Sequence, residues 1–315
     1  CSFTLQFPQS RRPSRNSYWC ITPSFCLLFN ATALSLASHV ARMCVCVCVC
    51  SGSWADRSPL HEAACQGRLL ALRTLLEQGY PANRVTIDHV SPLHEACLSG
   101  HIACVRALLS AGADVNAANI DGVTPLYNCC SSGSVGCLEL LLQNGAHMHA
   151  PHAHLPSPLH EACKRGSSLC VKSLLAHGAD PDCQVSHLGS PLYVSCVHRQ
   201  TACSEILLHR GASVNTGRGG DSPLHAAVRQ ESLDQVSVLL DYGADVNLRD
   251  SNNQRAVELY RIVERKITLS LCVVSARSLC QLCRIQIRNL IGRSRLKLLP
   301  ALPLPSLLTN YLEHA

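Results

Sequence analysis

Ser58-Pro59-Leu60-His61 returns along the chain as Ser91-Pro92-Leu93-His94, Thr124-Pro125-Leu126-Tyr127, Ser157-Pro158-Leu159-His160, Ser190-Pro191-Leu192-Tyr193 and Ser222-Pro223-Leu224-His225. The steps are 33 residues, closing with one of 32. Leucine pairs keep the same register: Leu75-Leu76, Leu108-Leu109, Leu141-Leu142, Leu174-Leu175, Leu207-Leu208 and Leu239-Leu240. Gly79, Gly112, Gly145, Gly178, Gly211 and Gly243 follow them. Each unit therefore carries a start, an apolar body and a stop, repeated six times.

The physics of one unit follows from these residue types. Ser or Thr caps the orphan amides of a first helix, and Pro at the next position has φ preset for the first turn. That helix is short, because Gly67, Gly100, Gly133 and Gly166 interrupt the pattern near its end. A second helix turns its Leu pair inward and stops at a glycine suited to a left-handed C-cap. The remaining dozen or so residues, rich in Asn, Asp, Gly and Pro, read as an extended turn to the next unit. A helix pair of this size cannot bury its apolar side alone, so the units must stack into one continuous core.

This pattern resembles the ankyrin repeat, and the resemblance runs from residue 56 to about 250. It implies an all-α ankyrin-repeat solenoid of six repeats, with a degenerate seventh around Gln254-Arg255-Ala256-Val257-Glu258-Leu259. Two departures bear on local geometry. Tyr127 and Tyr193 replace the motif His, and Arg199 and Glu231 stand where the other units have the inter-helix Gly.

Composition narrows the function. The 315 residues are 47% hydrophobic, only 15% charged and only 4% aromatic, which leaves no room for a charged disordered tail or an aromatic base-stacking platform. The net charge of +6 is unevenly spread: +4 over residues 1–50, −5 over 51–254 and +7 over 255–315. The repeat body is acidic and unsuited to gripping phosphate backbones, so no nucleic-acid partner is expected. Eight of the 21 cysteines keep the register too, as Cys97, Cys130, Cys163, Cys196 and as Cys104, Cys137, Cys170, Cys203. Thiols that share the period of the leucines fill recurring core positions as small hydrophobes, which favours a reducing compartment over a disulfide framework.

After the repeats, Leu279, Leu282, Cys283, Ile287 and Leu290 fall on one stripe of a helix, with Arg284 and Arg288 off it and Gly292 as a stop. Leu302-Pro303-Leu304-Pro305 is barred from helix by its prolines, and Leu307, Leu308, Tyr311 and Leu312 suggest a short closing helix. The plain alternative is a cap over the last repeat. A helix, an extended Leu-Pro pair and another helix exceed what a cap needs, and the segment resembles a SOCS box. The resemblance implies that Leu279, Cys283 and Ile287, with Leu282 and Leu290 beside them, dock in a groove of elongin C. It also implies that residues 302–305 select cullin-5. Cys280 and Cys283 form a CxxC, but no second ligand pair follows for zinc and no βαβ pattern surrounds it for thioredoxin-like redox work.

Repeats followed by this box are similar to the ankyrin repeat and SOCS box family, substrate receptors of cullin-RING ubiquitin ligases. Ser53-Trp54-Ala55-Asp56-Arg57 and the repeat after it resemble the branch of members five, nine and eleven, and the ending from Ile291 to Leu298 is most similar to the first of these. The organisation expected is 1–52 as a separate N-terminal segment, 53–264 as ankyrin repeats, 265–277 as a linker and 278–315 as the box. Residues 266–277 match the family poorly and read as a variable linker or a splicing product. The chain opens on Cys1, and the alternation Cys44-Val45-Cys46-Val47-Cys48-Val49-Cys50 is what a TG dinucleotide repeat encodes. Translated repetitive DNA is one reading of residues 1–52; a metal-binding tract is a second. A hydrophobic anchor is a third, since residues 17–41 lack any Asp, Glu, Lys or Arg and follow Arg11, Arg12 and Arg15. The repeats are expected in the cytoplasm, with endoplasmic reticulum membrane association if that anchor is real.

Chemistry could hide in His147-Met148-His149-Ala150-Pro151-His152-Ala153-His154, the densest His cluster. Zinc needs three or four converging donors, and a turn of ordinary polar contacts is the reading preferred, with no metal and no cofactor. The motif histidines serve the repeat, and no P-loop, HExxH or GxSxG occurs in its required context. A non-catalytic adaptor is expected, with elongin B, elongin C, cullin-5 and its RING partner, and a protein substrate held on turn tips and first helices. The substrate-facing residues named on this basis are Arg84, Asp88, His89, Asn119, Ile120, Asp121, His152, His154, His187 and Arg218. A scaffold whose last segment is only a cap is the alternative.

Overall fold

A computed structural model describes residues 56–260 except residue 153, together with residues 286, 287, 290 and 291. The expected N-terminal segment, the linker and most of the box lie outside the described residues.

Six helix pairs follow one another: α1 (Pro59–Cys65) with α2 (Leu69–Glu77), α3 (Pro92–Ser99) with α4 (Ile102–Ser110), α5 (Pro125–Ser132) with α6 (Val135–Gln143), α7 (Pro158–Arg165) with α8 (Ser168–Ala176), α9 (Pro191–Val197) with α10 (Thr201–His209), and α11 (Pro223–Arg229) with α12 (Leu233–Asp241). A short α13 (Ala256–Tyr260) packs on α11 and buries Ala256, so the degenerate seventh unit is real. Among the described residues there is no β-strand, only isolated bridges in three turns. First helices pack on first helices and second on second, which is the stacked ankyrin solenoid.

The local reasons are those of the repeat. Every first helix starts at an extended Ser or Thr with Pro next, for example Ser91 at φ −94° and ψ 163°. Gly100 ends α3 in the left-handed region at φ 75°. Arg199 and Glu231 hold the same conformation without being glycine, at φ 57° and 55°, so the loop geometry survives both departures. The core is a column of leucines and cysteines: Leu60, Leu93, Leu126, Leu159, Leu192 and Leu224 are buried, as are both cysteine series. Each buried leucine contributes about 1.5–3 kcal/mol. Burial pushes the thiols of Cys130 and Cys163 well up, and those of Cys170 and Cys203 to about 11, so they stay protonated core groups.

Candidate functional site: fingers and first-helix face

The motif histidine links neighbouring units. In the second unit the Ser91 N–H donates to His94 Nδ1 (3.1 Å), and the other ring nitrogen reaches the Val123 carbonyl 29 residues on, at 3.0 Å. Nδ1 therefore accepts and Nε2 donates, which defines a neutral ring. Burial lowers the proton affinity of His94 to about 4 against that carbonyl's opposing pull. His61, His160 and His225 make the equivalent reach to Val90, Gly189 and Gln254. These rings are structural struts.

The two tyrosines act differently. Tyr127 Oη donates to Glu161 Oε2 of the next unit at 2.8 Å, and Tyr193 Oη to Asp221 Oδ2 at 3.3 Å. Glu161 is buried and also accepts from Arg165 Nε at 2.8 Å. Burial pushes its carboxyl up, but the hydrogen bonds from Arg165 and Tyr127 and the Lys164 charge outweigh that and bring it below the usual carboxylate range. Asp221 in turn pairs with Arg229, whose other arm reaches Asp250 Oδ2 at 2.8 Å. Arg57 pairs with buried Glu95 at the opposite end. The first-helix face is thus laced by polar contacts that cross from unit to unit.

The fingers between units carry the substrate-facing residues named from sequence. Arg84, His89, Ile120, Asp121, His152, His154, His187 and Arg218 are exposed; Asp88 and Asn119 are half-buried. Asp88 uses its carbonyl to accept the Ile120 N–H at 3.1 Å, tying the first tip to the second. Asn119 shapes its own turn, its side-chain oxygen accepting from the Asp121 and Val123 amides at 3.0 and 2.8 Å. The rings of His152 and His154 stack, centroids 5.5 Å apart. No group of three or more His, Cys, Asp or Glu side chains is placed to hold a metal among the described residues. A cleft of about 530 Å³ lies beside this third finger, lined by Asn116, Thr124 and His147 to Pro151.

Two features escaped the sequence reading. Ile87, 33 residues before Ile120, is 70% exposed against 64% for Ile120, so the first two tips present an apolar pair. An amide ladder also joins the fingers: Asn83 accepts from the Asp114 N–H and donates to the Gly112 carbonyl, Asn116 does the same for His147 and Gly145, Asp182 accepts from Ser213, and Asn215 from Asp245. His149 stands at the ladder position of the third finger and makes no such bond among the described residues.

Of the expected elongin contacts, Ile287 and Leu290 are described: both are helical, Ile287 half-buried and Leu290 75% exposed. Leu279, Leu282, Cys283 and Leu302-Pro303-Leu304-Pro305 lie outside the described residues. No helix among the described residues is long and apolar enough to cross a membrane.

Fold and terminal segment define an ankyrin-repeat protein that carries a SOCS box. A profile described as "Ankyrin repeats (3 copies)" matches residues 34–119, 60–152, 117–185 and 159–250, and a SOCS box profile matches 275–313. The chain is 50% identical to ankyrin repeat and SOCS box protein 5 of Mus musculus over 95% of each chain. It is 47% identical to protein 11 of the same name series from Mus musculus, over 83% of this chain and 81% of that one. The human ASB11 ankyrin repeat domain superposes with a TM-score of 0.67 at 47% identity, covering 70% of this chain and all of that one. The Bcl-3 ankyrin repeat domain gives 0.57 at 30% identity, covering 64% and 93%. The chain belongs to the ankyrin repeat and SOCS box family.

Proposed function

We propose that this protein is a cytoplasmic substrate receptor of a SOCS-box ubiquitin ligase, in which elongin B/C and cullin-5 bind the terminal box and a protein substrate binds the ankyrin fingers. The observation that carries this reading is the SOCS box match at the end of an ankyrin stack. The four-residue steps from Leu279 to Cys283 to Ile287 suit a helix laid in a groove, with Leu302-Pro303-Leu304-Pro305 as the cullin-selecting stretch. Of the described stripe residues, Leu290 is exposed and free to enter a groove, while Ile287 is half-buried.

The mechanism is proximity. Substrate lysines held near a ubiquitin-charged enzyme on another subunit gain effective concentration, and this chain's residues perform no bond chemistry. On the substrate side, Arg84, Ile87, Asp88, His89, Ile120 and Asp121 form one contact region, and His152, His154, His187 and Arg218 continue it along the fingers. The test is ubiquitin-remnant proteomics of cells expressing the parent, a Leu279→Asp/Cys283→Asp variant, or an Ile87→Asp/Ile120→Asp variant. Substrates are the proteins whose ubiquitination rises with the parent and with neither variant; an identical spectrum from all three contradicts the reading.

A further inference from the structure

The inter-helix loops of the first-helix face differ in charge from one end of the stack to the other. Unit three has Ser131-Ser132-Gly133 here, and units one and two are uncharged at the equivalent positions. Unit four has Lys164-Arg165-Gly166, and unit five has Val197-His198-Arg199. The side chains of Lys164 and Arg165 are 50% and 53% exposed although both lie near Glu161, whose own side chain is 4% exposed and spoken for by Tyr127 and Arg165. Gln200 lies against Gly166 so closely that a Cβ there would collide with it, which brings the Arg199 loop onto the end of α7. His198 lies close enough to Lys164 and Arg165 that, after burial, their charges disfavour its protonation. Lys164 and Arg165, both paired with Glu161, and the loop that carries Arg199 therefore lie at the seam between units four and five, an excess of positive charge on a body that is −5 over residues 51–254.

Arg199 is the informative member. Its φ of 57° is a conformation that glycine adopts freely and a residue with a Cβ adopts at a cost. Gly67, Gly100, Gly133 and Gly166 hold the same place in four other units. The Arg199 guanidinium is exposed and makes no hydrogen bond or ion pair among the described residues, so nothing within the fold compensates the strain. Glu231 holds the same conformation in unit six, so the free positive charge of Arg199, and not the strain alone, is what this position offers a ligand.

We infer that Lys164, Arg165 and Arg199 form a docking patch for an acidic peptide segment of the protein substrate. The inference rests on the receptor reading above and supplies a substrate class for it. A carboxylate-bearing segment fits because it needs only a local positive seam, whereas a longer polyanion would run onto the acidic remainder of the body. Glu231, the exposed equivalent of Arg199 in unit six, bounds the patch, so the segment extends from unit five toward unit four.

The experiment measures binding of a fluorescein-labelled peptide of alternating Glu and Ala to the purified full chain, beside its Gln-Ala counterpart and labelled oligo-dT. The parent should bind the Glu peptide saturably, prefer it over both controls, and lose affinity as salt is raised. Lys164→Glu/Arg199→Glu should weaken it by about tenfold or more. Arg199→Gly separates binding from folding: it relieves the left-handed strain, so Tm should rise by about 2 °C while peptide affinity falls about three- to fivefold. No saturable binding, equal binding of the Gln peptide or oligo-dT, or unchanged affinity in Arg199→Gly would each overturn the patch. A parallel capture assay with elongin B/C keeps the two readings apart: capture without peptide binding removes the patch alone, and peptide binding without capture removes the ligase role and leaves the patch.

Discussion

Tyr127 reaches by a phenol what His94 reaches by an imidazole, a partner in the next unit, but it selects a buried carboxylate where His94 selects a carbonyl. The bond helps Arg165 and Lys164 keep Glu161 ionised inside the stack. Tyr127→Phe should cost about 1–3 kcal/mol by urea denaturation, and the same substitution in a Glu161→Gln background should cost clearly less. Equal costs in both backgrounds would show that the phenol does not act through Glu161. The histidines predict a pH dependence. Burial brings the His94 ring down to about 4 in the fold, from the 6.5 of an ordinary histidine, so the folded state disfavours the charged ring. Stability is complete above about pH 6.5 and falls as the unfolded chain alone takes up the proton toward pH 4, by about 3 kcal/mol for this residue at about 1.4 kcal/mol per unit. Burial lowers His61 and His160 as well, and they add in the same direction. Unfolding free energies at about pH 7 and pH 5 should therefore differ less for His94→Gln than for the parent; the same drop in both would contradict the assignment.

At the scale of elements, helix starts and stops were legible because Pro and Gly act through their own backbone and recur six times. The amide ladder was not legible: Asn in a turn already has a local reason to be there, and its real partners lie 29 and 31 residues away, distances that only stacking closes. Asn119, named from sequence as a contact, also holds its own turn through its side-chain oxygen, a local bond that its place in a turn made readable. Ile87 carried the same signal as Ile120, one period earlier, and only its exposure singles it out. The gap at His149 yields a prediction. His149→Asn restores the ladder residue of the third finger and should raise stability by about 0.5–1.5 kcal/mol in denaturant titration; no gain would mean that this finger's path does not permit the bond. In the core, Leu141→Ala removes a fully buried side chain and should cost about 3–5 kcal/mol, read by the same titration.

For the whole molecule, each unit leans on its neighbours, and its surface divides into fingers and a first-helix face that are free to vary without disturbing the leucine and cysteine column. The fold was legible almost entirely, since periodicity states it many times over. The surface proposed to hold a substrate was named from sequence only as a region, because exposed residues carry no repeat constraint. The family assignment joins the ankyrin stack to a terminal SOCS box, and the central claim is that the box is a docking element and not a cap. Calorimetric titration of purified elongin B/C into the full chain, beside Leu279→Asp/Cys283→Asp, tests it most directly, with a thermal melt of both proteins. The account predicts stoichiometric binding by the parent, none by the variant, and the same melting of the repeats in each. A variant that melts early, or a folded parent that takes up no elongin B/C, would contradict it and leave the segment as a cap.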